Sequence, residues 1–263
     1  MRNGAGNMNR IDECNCDILI KKLHKSFHDN HVLRGLDLCV YQGETLAIIG
    51  GSGCGKSVLL KHISGLMQPD SGAVEVFGED MSTLKGKALA AHRRRVGVVF
   101  QGAALLNSLT VSENVGLGLE EAGGKTADEI RDIVAEKLEM VSMEGTEDMM
   151  PEELSGGMKK RVGVARTLAM NPDIILYDEP TAGLDPIICE DVDQLMLDMK
   201  ERVKITAILV THDLISAFRV ADRMAMMHEG VLVESGTPDE LMKSENDIVN
   251  NFTARHAGLV RRH

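Results

Sequence analysis

The chain has 263 residues, 43% apolar and 26% charged, proportions that exclude a wholly disordered, collagen-like or mucin-like polypeptide. Aromatic side chains make up only 3%, so the core must rely on Leu, Ile, Val, Ala and the 16 methionines, and extended base stacking is excluded. A formal charge of −11 opposes a net positive field toward duplex DNA, and no nucleic-acid partner is expected.

Residues 1–17 read as a polar N-terminal segment without the apolar stretch of a secretory signal. The longest run free of charge, 96–112, contains Gln101, Asn107, Ser108 and Thr110 and cannot span a bilayer. The chain is therefore expected on the cytosolic side. Five cysteines at irregular spacings (Cys14, Cys16, Cys39, Cys54, Cys189) suit a reducing compartment, and Cys14 and Cys16 are expected as unpaired thiols.

Short apolar runs ending in glycine or polar residues predict strands over 45–49, 96–100, 174–177, 207–210 and 224–227, with helical patterns between several of them. This alternation predicts a mostly parallel, helix-covered sheet. The cluster His92-Arg93-Arg94-Arg95 reads as a solvated surface group ahead of a buried strand. Between Gln101 and Met158 the signals are helical, including a capping box at Thr126-Ala127-Asp128-Glu129 followed by Ile130, Ile133, Val134 and Leu138. After Pro186, the residues Ile188, Val192, Leu195, Met196, Met199 and Val203 recur at helical spacing with charges on the opposite face. The basic end, 247–263, with Arg255, Arg261, Arg262 and His263, reads as a frayed tail.

The stretch Gly50-Gly51-Ser52-Gly53-Cys54-Gly55-Lys56-Ser57 directly follows the first of these strands and precedes the apolar Val58-Leu59-Leu60. Its pattern, G-x-x-x-x-G-K-[ST] between strand and helix, is that of a phosphate-binding loop. Glycines let backbone amides turn toward phosphate oxygens and the helix start adds positive potential. Lys56 supplies charge near the β and γ phosphates, and the Ser57 hydroxyl is a ligand for Mg²⁺. Downstream, Ile174-Ile175-Leu176-Tyr177-Asp178-Glu179 reads as a buried strand ending in two carboxylates. Asp178 is expected to hold Mg²⁺, and Glu179 to orient and deprotonate the water that attacks the γ-phosphate. These elements predict a P-loop NTPase with a RecA-like α/β core.

Leu154-Ser155-Gly156-Gly157-Met158, upstream of Asp178, opens an amphipathic segment and resembles the signature sequence of the ATP-binding cassette family. Further elements similar to the family's follow in order: Phe27 as an adenine-loop aromatic, Gln101 after a strand, Ala182-Gly183-Leu184-Asp185 as a D-loop, and His212 after the strand 207–210. The resemblance covers roughly residues 18 to 240. It implies a core of 18–101 and 159–246, a small antiparallel β region, and a helical subdomain at 102–158. It also implies two ATP molecules between two copies of the chain, each lying between Lys56 of one copy and Ser155, Gly156 and Gly157 of the other. In that arrangement His212 contacts the γ-phosphate, Gln101 adjoins the metal and the catalytic water, and Asp185 lines the shared interface. A separate membrane permease dimer is implied as a further partner.

Met158-Lys159-Lys160-Arg161 replaces the glutamine common after the signature glycines. With the stretches 102–111 and 145–154, it is similar to the Mla and Mce branch of bacterial lipid-transport ATPases. That likeness implies lipid transport across the envelope, a periplasmic MCE-type lipid-binding subunit and a small STAS-type regulator. It places the chain at the cytoplasmic face of the inner membrane. An importer ATPase for amino acids or other polar solutes and a non-transport cassette protein are the alternatives.

Overall fold

The computed structural model describes residues 15–254. Strands β1 (Cys16–Phe27) and β2 (Asn30–Tyr41) form an antiparallel pair, and β3 (Thr45–Ile49) runs into the glycine-rich loop and helix α1 (Lys56–Ile63). There follow β4 (Ser71–Val76), β5 (Glu79–Asp80), α2 (Gly86–Arg95) and β6 (Val96–Val99). The predicted helical stretch holds α3 (Val111–Ala122), α4 (Ala127–Met140), a 3₁₀ turn at Pro151–Glu153 and the start of α5 (Gly156–Ala169). Then come β7 (Ile174–Asp178), α6 (Pro186–Val203), β8 (Thr206–Thr211), α7 (Leu214–Val220), β9 (Arg223–His228) and β10 (Val231–Gly236). Two short helices, α8 (Pro238–Met242) and α9 (Asp247–Ala254), end the described chain.

Six strands form one sheet in the order β10-β9-β3-β8-β7-β6, parallel throughout except for β10, while β2-β1-β4-β5 form the antiparallel sheet. The parallel strands are buried on both faces, which is why they read as continuous apolar runs. Successive residues alternate between two cores. Leu46 and Ile48 of β3 pack with α1 and the antiparallel sheet, whereas Ala47 and Ile49 pack with α3 to α7. Met196, Met199, Met224, Met226 and Met227 are buried among the Leu, Ile and Val side chains, as the shortage of aromatics requires.

Two expectations are corrected. Cys16 is bonded to Cys39, because antiparallel pairing of β1 with β2 brings their Cα atoms to 6.0 Å, a proximity that spacing along the chain does not reveal. Cys54 and Cys189 are free thiols, and Cys14 lies outside the described residues. The expected tail also begins as a helix: α9 buries Val249 and Thr253, since its apolar residues fall on one face. Arg255, Arg261, Arg262 and His263 lie outside the described residues.

Candidate nucleotide site

Because β8 lies between β3 and β7, the loops after these three parallel strands emerge side by side at one edge of the sheet, where α/β folds bind ligands. β3 delivers Gly50 to Ser57, β7 delivers Asp178 and Glu179, β8 delivers His212, and β6 on the flank delivers Gln101. The loop needs its glycines for different reasons. A Cβ on Gly50 would lie 2.3 Å from the Met227 carbonyl oxygen. Gly55 has φ +109°, and a Cβ there would lie 2.9 Å from both Leu33 Cδ2 and Met227 Cε. Gly51, Ser52 and Gly53 are exposed on the loop, and Val58 in the first turn of α1 packs against the core that holds Leu46 and Ile48.

Polar contacts knit these loops together. Lys56 is buried and donates to the carbonyls of Gly50 (2.8 Å) and Gly51 (3.2 Å), with its ammonium 3.5 Å from Glu179 Oε1. Ser57 Oγ donates to Asp178 Oδ1 at 2.9 Å. His212 Nδ1 lies 2.7 Å from Glu179 Oε2, and the His212 amide donates to the same oxygen. Asp178 and Glu179 therefore face different partners although they are adjacent. The turn that separates them is set by Glu179, whose φ of +50° is left-handed and whose N–H donates to the Val210 carbonyl at 2.9 Å. A non-glycine residue in that conformation is uncommon and clusters at functional sites. Burial pushes the Cys54 thiol pKa up, which makes this loop cysteine a poor nucleophile.

Ser155 caps α5, its hydroxyl accepting from the Met158 amide, and Asp185 caps α6 by accepting from the amides of Ile187 and Ile188. The two starts pack together: a Cβ on Gly157 would meet Ile188 Cγ2 at 2.9 Å, and one on Gly156 would meet Leu184 at 3.2 Å. None of the hydrogen bonds joining Lys56, Ser57, Asp178, Glu179 and His212 reaches this pair of helix starts. Phe27 stands apart as well, at the end of β1 on the antiparallel sheet, with the Lys25 ammonium 5.8 Å from its ring centre. Gln101 is exposed after β6.

A model of the ABC transporter family matches residues 33–182, more than half of the chain. The chain belongs to that family. The cassette is 39% identical to the ribonucleotide transport ATP-binding protein mkl of Mycobacterium leprae over 235 residues, 89% of this chain and 68% of that protein. It is 41% identical to the methionine import ATP-binding protein MetN 2 of Bacillus licheniformis over 92% of this chain and 68% of that protein. Against the chloroplastic protein TRIGALACTOSYLDIACYLGLYCEROL 3 of Arabidopsis thaliana it is 38% identical, covering 91% and 74%. It thus spans about two thirds to three quarters of these relatives. Among solved structures it is similar to cbiO1 of Clostridium perfringens, with TM-score 0.81 and 30% identity over 94% of this chain and 98% of that one. It is also similar to the dimeric bacterial cassette MJ0796, with TM-score 0.77 and 34% identity over 84% and 98%.

As an ABC cassette it binds ATP with Mg²⁺ and hydrolyses ATP, and cassettes of this family pair with each other and with a membrane permease. No helix among the described residues is long and apolar enough to cross a membrane. Nor do three His, Cys, Asp or Glu side chains gather there as a metal cage. The Ser57–Asp178 contact nevertheless fits Mg²⁺, which takes few protein ligands and keeps water and phosphate oxygens for the rest. Those two residues would hold it, and it would offset the negative charge of the β and γ phosphates.

Several residues that support the site were not legible beforehand. Asn114, fully buried on α3, accepts from the Leu106 amide and donates to the carbonyls of Leu106, Leu109 and Thr110, pinning the loop beyond Gln101. The capping box Thr110 to Glu113 was the signal available for it. Of the basic cluster, His92 is buried, Arg93 donates to the Gly65 carbonyl, and Arg95 pairs with Asp173 and stacks over Phe77 at 3.8 Å. Arg93, Arg94 and Arg95 are exposed, in line with the reading of a surface group, and His92 alone departs from it by being buried.

Proposed function

We propose that this cassette is the ATPase subunit of a bacterial lipid transporter, working as a homodimer beneath a separate permease dimer at the cytoplasmic face of the inner membrane. The likeness of 102–111, 145–154 and 158–161 to the Mla and Mce branch carries the lipid assignment, and these stretches meet in the fold. The two stretches similar to the Mla and Mce branch lie against each other, the Val111 amide donating to the Met149 carbonyl and the Ser112 amide to the Glu147 carbonyl, both at 2.9 Å. Arg161 of the third branch-like stretch donates to the Val141 carbonyl at 2.9 Å in the same helical region. A relative named for a galactolipid supports the reading. Relatives named for ribonucleotide, methionine and trimethylamine N-oxide transport support the alternative, an importer of polar solutes.

In the proposed cycle each ATP binds against Gly50 to Ser57 of one copy. Ser155 and the amides of Gly156 and Gly157 from the other copy close over the γ-phosphate, because a helix start is a ready seat for anionic oxygen. Phe27 stacks on the adenine. Glu179 takes the proton of the attacking water, His212 fixes its carboxylate and senses the γ-phosphate, and Lys56 turns from the loop carbonyls to the phosphates. Gln101 would adjoin the metal and the catalytic water when these are bound, and it carries closure to the helical subdomain at 102–158. An MCE-type periplasmic subunit and a STAS-type regulator complete the assembly.

The test is affinity purification of the cassette from its native membrane, with identification of bound proteins and extracted lipids. The reading expects a polytopic permease with phospholipid enriched over the detergent background. A permease carrying an amino acid or another polar solute, with no lipid enrichment, refutes it.

A further inference from the structure

Helix α5 turns one face toward the loop that carries Gln101. Lys160 Nζ donates to the Gln101 carbonyl oxygen. Beyond Gly102, Arg166 spans two adjacent carbonyls, with Nη2 on that of Ala103 and Nη1 on that of Ala104, both at 2.7 Å. Thr167 Oγ1 donates to the Val98 carbonyl at 3.3 Å, just before the loop. Between these donors Gly163 leaves room for the loop itself, since a Cβ there would meet Ala103 Cβ at 3.3 Å. Positions 160, 163 and 167 are three and four apart, so they share one face of the helix, with Arg166 at its margin.

The chemistry of these contacts is unusual. Lys160 is 5% exposed, and neither it nor Arg166 forms an ion pair with a carboxylate among the described residues. Burial lowers the pKa of both. Sequestering a cation without a counter-ion is costly, so each such group needs strong acceptors. Here the acceptors are carbonyls of a loop that is itself strained: Ala103 and Ala104 have φ of +57° and +50°, left-handed values that disfavour residues with a Cβ. Consecutive left-handed residues turn adjacent carbonyls toward one side, and a planar guanidinium with five donors can span two of them, which a single ammonium cannot.

We infer that Lys160 and Arg166 are positioning residues that fasten the Gln101 loop to the signature helix, so that Ser155 at the helix start and Gln101 move as one body. This rests on the proposed role of Gln101 between nucleotide and helical subdomain. Its consequence is that engagement of Ser155 by a partner-bound nucleotide displaces the Gln101 backbone directly. The motion then continues to Phe100 and Leu106, the exposed apolar residues flanking the loop.

The experiment uses the full chain in three substitutions, Lys160→Met, Lys160→Arg and Arg166→Lys, with Gln101→Ala as the reference. ATPase kinetics and amide hydrogen exchange are measured on each. Lys160→Met keeps the bulk of the stem and removes the donor; kcat should fall at least about tenfold while KM for ATP changes less than about twofold, since Lys160 has no contact with the phosphate loop. Exchange should quicken over 101–105 and stay unchanged over 50–57. Lys160→Arg should restore kcat, and Arg166→Lys should quicken exchange at 103–105 even if Lys160→Met does not fold. Unchanged exchange over 101–105 in both Lys160→Met and Arg166→Lys overturns the inference. So does parallel loss at 50–57, the mark of a merely structural role. If Gln101→Ala is slow while Lys160→Met turns over normally, the fastening falls and the role of Gln101 stands. Normal turnover by Gln101→Ala overturns that role and the coupling with it.

Discussion

Replacing Asp193 by Asn should make the cassette more stable at neutral pH, although Asp193 forms an ion pair. Its carboxylate is 1% exposed between α6 and α7, with Oδ2 3.0 Å from Arg219 Nη1 and Oδ1 without a hydrogen-bond partner. Burial pushes the pKa up to about 6; Ser216 and Arg219 pull it down, and Asp213 adds to the rise. Glu190 shares Arg219, and the Cys189 thiol lies one turn away on α6. An unfolded Asp titrates near 3.9, so the difference of roughly 2 units corresponds to about 3 kcal/mol. Because the folded value is the higher one, this stabilisation is complete below about pH 4 and is lost as the pH rises through about 6. An amide at 193 resembles the neutral carboxyl and carries no such dependence. Urea unfolding of both proteins without nucleotide, from about pH 4 to about pH 7, should show Asp193→Asn gaining roughly 3 kcal/mol relative to the parent across that range. A constant difference, or a variant that loses ground as the pH rises, would mean that the Arg219 pair outweighs desolvation and would refute the reasoning.

Glu179→Gln should retain ATP binding, accumulate a closed dimer on size-exclusion chromatography and slow turnover by about 10² to 10⁴-fold; near-normal hydrolysis would assign the base elsewhere. Mixing Lys56→Ala with Ser155→Arg subunits concentrates both lesions in one of the heterodimer's two sites. ATPase activity of the mixture should therefore exceed that of either variant alone, and no rescue despite demonstrated mixing would count against composite sites. His92 is buried, neither ring nitrogen has a hydrogen-bond partner, and burial lowers its pKa. An unfolded His takes up a proton near 6.5, so stability present above that pH is lost as the pH falls, opposite in sign to the Asp193 effect. His92→Leu should flatten this acid limb, and an unchanged slope in acid unfolding would place the sensitivity in other groups.

Local chemistry made much of this protein legible from its sequence. Runs such as Thr45–Ile49 and Ile174–Asp178 announce strands buried on both faces. Gly50 to Ser57 requires only consecutive residues to make a phosphate loop, and the box from Thr126 to Glu129 sets a helix start by itself. What depends on pairing between distant segments was decided by the tertiary structure. The order β3-β8-β7 places His212 2.7 Å from Glu179, and antiparallel pairing joins Cys16 to Cys39. Packing buried His92 while Arg93, Arg94 and Arg95 stay exposed, and it laid Lys160 on a backbone carbonyl. Backbone propensity and apolar period act over a few residues and survive in linear order. The partner of a buried charge or a thiol depends on which surfaces the folded chain brings together, and linear spacing does not encode that distance.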